Sequence, residues 1–300
     1  MNRLHKASTN AHRYAVVTAA ATFLLLIAGS LVTSTGSGLA VPDWPLSYGT
    51  WFPPMVGGIL YEHGHRMIAG LVGLMIVGLA IWLWRSEPRA WVRRLGYAAL
   101  AAVVAQALLG GLTVLLLLPP SVSIAHACLG QTVFCLTVAL AWCTRPQWAT
   151  VSGSVPSQAW RTLRASSLLV AEFAALQLVL GAIIRHTGAT VWAHLMNGVL
   201  LIVAAGVLTG RLASLRREHP SLWRHALRLL LFLSLQVALG WMLISHRASL
   251  TLRTAHVGIG ALVLAQAVIL AWETIRSVAW PQGSSPVALS ARTAIQGSRG

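Results

Sequence analysis

Four histidines recur along the chain at a matched spacing. His126 follows His65 after 61 residues, and His256 follows His194 after 62 residues. Each of the four stands at the start of a long apolar segment. Imidazole binds both haem iron and zinc, but a zinc site gathers three or four ligands in one cluster. Because these histidines group as two plus two, the pattern predicts two haem sites, each with two axial histidine ligands.

An acidic residue accompanies only the first histidine pair. Glu62 lies three residues before His65, so the two share a face of a helix, whereas Val191 stands three residues before His194. A carboxylate beside a haem could handle protons or stabilise a developing cation. The asymmetry predicts that the first site is reactive and that the second is a redox relay. The plainer alternative is an acid favoured by the dipole at a helix N-terminus.

Three arginines near the histidines are candidates for binding the propionates of haem. Arg66 directly follows His65, and Arg253 lies one helical turn before His256. Arg185 lies near the end of the fifth apolar segment. Each could hold a carboxylate by two hydrogen bonds. The alternative is an arginine that extends to the membrane interface. The sequence assigns no role to His63 or to Glu172.

Eight long apolar segments must position these residues. The 300-residue chain is 56% hydrophobic and 9% charged, whereas a soluble domain carries about 25% charged residues. About 20 apolar residues suffice to cross a bilayer as a helix. The first run is long and no clean signal-peptide cleavage site follows it, so we expect it to be retained as a helix. The composition predicts an all-α integral membrane protein with eight transmembrane helices, near residues 14–34, 64–84, 95–118, 122–143, 162–184, 191–212, 223–244 and 252–272.

The two halves of the chain repeat each other. A segment that begins Gln-x-x-x-Gly and reaches histidine after 20 residues occurs at Gln106–His126 and at Gln236–His256, and Gly29–Gly36 resembles Gly181–Gly188. Since each half has an even number of helices, both halves have the same orientation, which predicts two parallel four-helix bundles. We assign the first half to residues 1–150 and the second half to residues 151–280. A long first outer loop covers residues 35–64, and residues 281–300 form a disordered tail.

Positive charge is concentrated at one end of the predicted helices. Of the 22 Lys and Arg residues, 18 fall in the N-terminal segment, in the tail and around the connections after the second, fourth and sixth helices. The positive-inside rule then places both termini in the cytoplasm and the histidines towards the outer side of the plasma membrane. Topology and contact with anionic membrane lipids explain the net charge of +16. Without a basic soluble domain, we expect no nucleic-acid binding.

Four fragments of the sequence together resemble the haem A synthase family. They read TGSGLAVPDWPLSYG, YEHGHRMIAG, SIAHACLG and RTAHVGIGAL, and the resemblance extends over about residues 14–272. Members of the family oxidise the C8 methyl group of haem O to the formyl group of haem A, which terminal oxidases use. The resemblance implies that His65 and His126 hold the haem O substrate, with Glu62 as the essential glutamate. It also implies that His194 and His256 hold a haem b cofactor.

The resemblance implies partners as well. A haem O synthase would supply the substrate, an unidentified electron donor would take part in the reaction, and a homo-oligomer is compatible with the family. Many members carry a cysteine pair in the first outer loop, but here this loop reads LAVPDWPLSYG and has no cysteine, so a thiol relay there is excluded.

Two other functions stay open at the level of the residues. One is a non-catalytic di-haem electron-transfer cytochrome, and the other is a haem-delivery or transport protein built on the repeat. The placement of all four histidines on one side counts against the cytochrome, because electron transfer across a membrane usually needs haems stacked through the bilayer.

Overall fold

The computed structural model describes residues 2–145 and 157–278, with side chains for residues 9–145 and 158–276. Within these ranges the chain forms α-helices and no strand beyond an isolated bridge between Ser47 and Thr50. The predicted all-α class is therefore confirmed. The helices are α1 (Asn2–Ser34), α2 (Gly57–Ser86), α3 (Ala90–Leu115), α4 (Pro120–Cys143), α5 (Ser157–Thr187), α6 (Val191–Ala213), α7 (Pro220–Ser245) and α8 (Leu250–Val278).

Proline and glycine residues set several helix ends. Pro120 and Pro220 begin α4 and α7, where the missing proline N–H has no partner to lose. Gly36 and Gly188 follow the ends of α1 and α5 with φ angles of 69° and 75°, a left-handed conformation that glycine adopts without strain. The two glycines that match in the sequence repeat thus share one backbone role.

The described residues contain eight helices that are long and apolar enough to cross a membrane, as predicted. A helix satisfies its own backbone hydrogen bonds, which the bilayer core requires of any spanning segment. Large aromatic side chains are exposed near the helix ends and in the loop after α1, as is typical of membrane interfaces. They include Trp51, Phe52, Trp84, Trp192 and Trp241.

The four helices of each half form a closed ring of contacts. In the first half α1 packs on α2 and α4, and α3 completes the ring between them; α5 to α8 contact one another in the same cyclic order. Each ring has its own apolar core, which includes Leu79 and Leu140 in the first half and Leu208 and Leu270 in the second. The shared order is consistent with a repeat, and the parallel relation of the halves stays a prediction.

The two halves meet along α4 and α8. Helix α8 contacts α1 and α4, and α4 also contacts α5. Phe23 of α1 and Phe134 of α4 pack with ring centres 5.6 Å apart beside Ala261 and Ala265 of α8. Small residues such as these alanines let helices approach closely. Helix α1 belongs to both the first ring and this seam.

The first outer loop is shorter than predicted. Helix α2 begins at Gly57, so residues 57–64 of the predicted loop 35–64 are helical and the loop covers residues 35–56. The polar start of α2 is stable because loop backbone groups bind Glu62 and Arg66. The predicted boundary at residues 150 and 151 and the predicted tail lie outside the described residues.

Candidate functional site

Each of the four repeated histidines lies against a glycine of the preceding helix. The nearest ring atom, Cε1, is 3.0 Å from the place that a Cβ would take at two of these glycines and 3.4 Å away at the other two. A side chain at the closer pair would crowd the ring, so glycine makes this approach possible. The closer contacts are Gly29 with His65 and Gly110 with His126, and the wider ones are Gly181 with His194 and Gly240 with His256.

These glycines place the histidines at one level of the bundle. Each glycine lies five or six residues before the end of its odd-numbered helix, which corresponds to about 7–9 Å along the helix axis. The same end of the bundle carries the loop of residues 35–56, which we call the first loop. We call this end the histidine end.

The two histidines of each half stand on opposed helices of one ring. His65 and His126 lie on α2 and α4 in the first half, and His194 and His256 lie on α6 and α8 in the second. No group of three or more His, Cys, Asp or Glu side chains among the described residues could hold a metal ion. The grouping of the histidines as two plus two stays a prediction.

The paired rings form a donor set that fits haem. The Nδ1 atom of every ring is buried and has no hydrogen-bond partner within the described parts of the chain. The Nε2 atoms of His65 and His126 also make no hydrogen bond to described residues, but they are not fully enclosed. Two imidazoles from facing helices are the axial ligands of a bis-histidine haem. The adjacent glycines leave room for a flat macrocycle beside the backbone.

Two glutamines bind the rings of the second pair. The side-chain NH₂ of Gln177 donates to Nε2 of His194, and that of Gln236 donates to Nε2 of His256, each at 3.1 Å. Asn197 donates to Oε1 of Gln177 at 2.6 Å. The carbonyl side of Gln177 is thereby occupied, so its NH₂ group faces the ring.

The first pair lacks glutamine contacts to its rings. Gln106 donates to the backbone carbonyl of His126 at 2.9 Å rather than to the imidazole. Leu25 stands four residues before Gly29, the glycine that contacts His65, and has no polar group to offer. The two halves therefore treat their histidines differently.

These contacts belong to a recurring unit of two consecutive helices, in which a Gln-x-x-x-Gly segment of the first helix packs on the histidine of the second. The unit occurs more often than the comparison of the two halves predicts. The spacing Gln-x-x-x-Gly occurs a third time at Gln177–Gly181, a readable signal that sequence reasoning missed. Each glutamine amide lies beside a further glycine four residues after the histidine, and a Cβ there would come within 2.9–3.2 Å of the amide nitrogen. At His65 the unit has Leu25 and Ala69 in place of the glutamine and the glycine. The further glycines are Gly130, Gly198 and Gly260.

Glu62 is a buried carboxylate fastened to the first loop. It is 3% exposed, its Oε2 accepts the N–H of Val41 at 2.8 Å, and its Oε1 accepts a hydrogen bond from Arg66 at 2.6 Å. The first turn of α2, which begins at Gly57, contains no acidic residue. Attraction to the helix dipole fades beyond the first turn, so it does not explain Glu62.

Arg66 fastens the same loop. Besides the ion pair with Glu62, its Nη1 donates to the backbone carbonyls of Asp43 and Leu46, both at 2.7 Å. The sequence indicated no such role for this arginine. Its binding of a haem propionate stays a prediction. The guanidinium group of Arg66 already has several protein partners.

The first loop also packs on the bundle through His63 and Trp44. Nδ1 of His63 is hydrogen-bonded to the hydroxyl of Ser47 at 2.7 Å, and both side chains are buried. The ring of Trp44 covers Gly111 of α3 so closely that a Cβ there would lie 2.7 Å from it. His63, which had no assigned role, thus holds the loop against α2.

Asp43 shapes the tip of the first loop. Its carboxylate accepts the backbone N–H of Tyr48 at 2.7 Å and that of Gly49 at 2.8 Å. The hydrogen bond from Gly49 is the main reason that the pKa of Asp43 lies below its ordinary value of 3.8. The turn is therefore held most firmly when this carboxylate is ionised.

Arg185 joins the two halves at the histidine end. It donates to the backbone carbonyl of Ser30 at 2.9 Å and to the hydroxyl of Ser34 at 2.7 Å, both in α1. It also lies within electrostatic range of Arg253 and of His256. Neighbouring guanidinium groups form a suitable environment for a carboxylate. The propionate roles of Arg185 and Arg253 stay predictions.

Two positions complete the set that the sequence singled out. Val191, which matches Glu62 in the repeat, is exposed, so no carboxylate takes that place beside the second pair. Glu172 is exposed near the middle of α5, away from the histidine end. Nothing in the structure assigns it a role.

Comparison with known proteins reveals a family match over part of the chain. Residues 56–193 match the family described as Cytochrome oxidase assembly protein (COX15-CtaA). A 207-residue alignment is 31% identical to a haem A synthase of Symbiobacterium thermophilum and covers 62% of this chain and 64% of that protein. The family match includes Glu62, His65 and His126 and ends one residue before His194.

Two other relatives match shorter segments. A haem A synthase of Alkalihalophilus pseudofirmus is 40% identical over 101 residues, which is 32% of this chain and 34% of that protein. A protoheme IX farnesyltransferase of Halobacterium salinarum is 34% identical over 149 residues, which is 49% of this chain and 32% of that protein. The chain thus spans about a third of the length of the first curated relatives that it matches.

Proposed function

We propose that this chain is a member of the haem A synthase family, which it resembles over part of its length. It would then oxidise the C8 methyl group of haem O to a formyl group and make haem A for terminal oxidases. The observation that carries the proposal is the position of Glu62. It is a buried carboxylate one helical turn from His65, and Val191 stands in its place beside the second pair. An acid beside one of two similar sites marks that site for chemistry.

We assign the substrate haem O to the first half and the haem b cofactor to the second. His65 and His126 would be the axial ligands of the substrate iron, and His194 and His256 those of haem b. The position of the two histidines of each half on opposed helices of one ring supports this pairing. When bound, haem b supplies electron-transfer chemistry next to the substrate site.

The residues around Glu62 suit an oxidation that releases protons. Conversion of a methyl to a formyl group removes four electrons from one carbon and adds one oxygen atom. The step balances with dioxygen as the oxidant (R–CH3 + O2 → R–CHO + H2O), or with water as the oxygen source and an external acceptor for the four electrons, and in both cases hydrogen leaves the carbon. Glu62 is placed to accept a proton or to stabilise positive charge near the macrocycle. Val41 and Ser47 of the first loop are fully buried, so the loop excludes water from this side of the carboxylate.

We also propose that both termini lie in the cytoplasm and that the histidine end faces the outer side of the plasma membrane. The distribution of 18 of the 22 Lys and Arg residues supports this orientation. The common ring order of α1–α4 and α5–α8 supports a parallel repeat. An enzyme of this topology would receive and release haem at the outer half of the bilayer.

A haem O synthase is the partner that the proposed reaction requires. The match between this chain and part of a protoheme IX farnesyltransferase supports a close relation between the two haem-modifying steps. An electron donor is the other expected partner. The first loop contains no cysteine, so electrons reach the site by a route other than a thiol pair in that loop.

The proposal is tested by expressing the chain together with a haem O synthase and identifying the haems extracted from the purified protein by mass. We expect haem b together with haem O or haem A, and new haem A in the membranes. A di-haem cytochrome or a haem-delivery protein would leave the mass of the supplied haem unchanged. Haem O in a fully loaded protein, with no haem A in either the protein or the membranes, would refute the proposed activity.

The role of Glu62 is tested by Glu62→Gln. This variant keeps an oxygen to accept the Val41 N–H but loses the charge and the basic group, so we expect haem A formation to fall at least 100-fold, within the usual range for an acid–base group, while haem stays bound. Ser47→Ala is the control, because it loosens the loop at His63 and leaves the carboxylate in place. Equal losses in both variants would show that Glu62 only holds the loop.

A further inference from the structure

We propose that Gln177 and Gln236 cap the ligating nitrogens of the second histidine pair and that the uncapped first pair therefore takes up haem first. The two glutamines are positioning residues that act through His194 and His256. This inference rests on the proposed function, in which the first pair binds an exchanging substrate and the second a resident cofactor.

The cap on His194 is built into a short hydrogen-bond chain. Asn197 donates both to the carbonyl of Phe173 at 2.9 Å and to Oε1 of Gln177, and Gln177 then donates to Nε2 of His194. An amide NH₂ group can only donate, so Nε2 must be the acceptor and the ring proton must lie on Nδ1. The chain thus sets both the tautomer and the direction of the ring.

The cap on His256 has the same geometry without the asparagine. Gln236 donates to Nε2 at 3.1 Å, and Gly260 leaves space for the amide. The lone pair that accepts this hydrogen bond is the one that would bind iron, since Nδ1 is enclosed in all four rings. Iron can bind only the fraction of molecules in which the cap is open, and the apparent affinity and the rate of uptake fall by that fraction.

The first pair presents the opposite arrangement. The amide of Gln106 donates to the backbone carbonyl of His126 and not to its ring. Leu25 occupies the position from which a glutamine would reach His65. Neither Nε2 atom has a hydrogen-bond partner within the described parts of the chain. Haem that enters the bundle therefore meets open ligands in the first half and capped ligands in the second, which directs substrate to the site beside Glu62.

The experiment measures haem uptake by the full-length chain in detergent. Protein purified from cells grown without added haem precursor, and so only partly loaded, is mixed with haem b, and the Soret absorbance is followed in time. We expect a fast phase that His65→Ala removes and a slow phase that His256→Ala removes. These two variants assign each phase to its half.

The glutamines are then changed one at a time. A hydrogen bond of ordinary net strength corresponds to an open fraction of roughly 0.07 to 0.3. We therefore expect Gln177→Leu and Gln236→Leu to speed the slow phase by a factor of about 3 to 14 and to leave the fast phase unchanged. Gln106→Leu is the matched control and should alter neither phase by as much, because its amide does not touch a ring.

Leu25→Gln supplies the opposite change. It places an amide beside His65 and should slow the fast phase by a similar factor while the slow phase stays unchanged, whereas a misfolded bundle would alter both phases. An unchanged slow phase in both glutamine variants would overturn the proposal, as would an equal acceleration of both phases. Uptake does not depend on oxidation of the methyl group. The mass of the extracted haem therefore tests the proposed function separately.

Discussion

At the scale of single residues, the histidines are positioned by glycines and amides rather than by charged groups. The tightest approaches are at Gly29 and Gly110, where a Cβ would lie 3.0 Å from the ring, and the looser ones are at Gly181 and Gly240. Packed interiors respond to a change of one carbon atom. The first pair should therefore be more sensitive than the second to an added methyl group.

Replacing each glycine by alanine tests this order. We expect Gly29→Ala and Gly110→Ala to displace the rings, at a cost of about 1–3 kcal/mol, and to reduce haem bound by the first pair about tenfold or more. Gly181→Ala should reduce haem at the second pair much less, because 3.4 Å approaches ordinary contact. Haem per chain is measured by absorbance after extraction. Gly73→Ala on α2 is the control, since nothing lies within 4 Å of the added atom, and equal losses at all sites would contradict the prediction.

At the scale of elements, the first loop acts as a folded cover on the start of α2. Its backbone binds Glu62 and Arg66, its Ser47 binds His63, and Trp44 fills the surface over Gly111. All of these contacts lie in the first half, which carries Glu62. The corresponding connection between α5 and α6 is only three residues long. The loop is thus the element that distinguishes the proposed reactive half from its repeat.

The turn at Asp43 should make this loop sensitive to acid. A carboxyl whose pKa is lowered on folding adds stability above its unfolded pKa, and this contribution is lost as pH falls through the folded value. Since the pKa of Asp43 lies below 3.8, the turn should stay ordered at pH 5 and loosen as the pH falls below about 3.8. A nitroxide label on Phe52→Cys, at an exposed site, reports the loosening by EPR. When Asp43→Asn is combined with the label, the mobility of the label should no longer change over that pH range. If the labelled chain shows the same pH dependence with and without Asp43→Asn, Asp43 does not control the order of the turn.

At the scale of the whole molecule, polar contacts at both ends join the two halves across their apolar seam. Arg185 reaches α1 at the histidine end. At the opposite end Glu273 of α8 accepts Nε1 of Trp142 at 2.6 Å and pairs with Arg145 at 3.1 Å and with Arg276 at 3.7 Å. These contacts restrain the separation of the two halves, and therefore the separation of the two proposed haem sites.

Glu273→Gln should weaken the joint between the halves. It removes the charge from a side chain that is 9% exposed and leaves Arg145 and Arg276 near each other without that carboxylate. We therefore expect the free energy of unfolding to fall by about 1–3 kcal/mol. The melting temperature should fall by a few degrees. Thermal unfolding followed by tryptophan fluorescence measures this shift. Glu172→Gln makes the same chemical change at an exposed position and should cause no comparable loss. A similar melting temperature for both variants would rule out this role.

Much of the fold could be predicted from the sequence, which also nominated the candidate site residues. The eight helices follow from runs of apolar residues, which depend on local composition alone. The spacing of His65, His126, His194 and His256 predicted their grouping, because equal positions in a repeat occupy equal positions in the fold. The resemblance to the haem A synthase family rested on short fragments around Glu62 and these histidines.

Only the tertiary structure decided what these residues touch. Val41 is 21 residues from Glu62 and donates to it, and Gln236 is 20 residues from His256 and caps it. Such partners depend on how helices and loops pack, and neither hydropathy nor spacing encodes that geometry. By itself the sequence determined which residues recur and that they stand at the starts of apolar segments. The packing of the bundle decided that the acid is tied to a loop and that only the second pair of rings is held by amides, because both contacts join segments that meet only after the helices assemble.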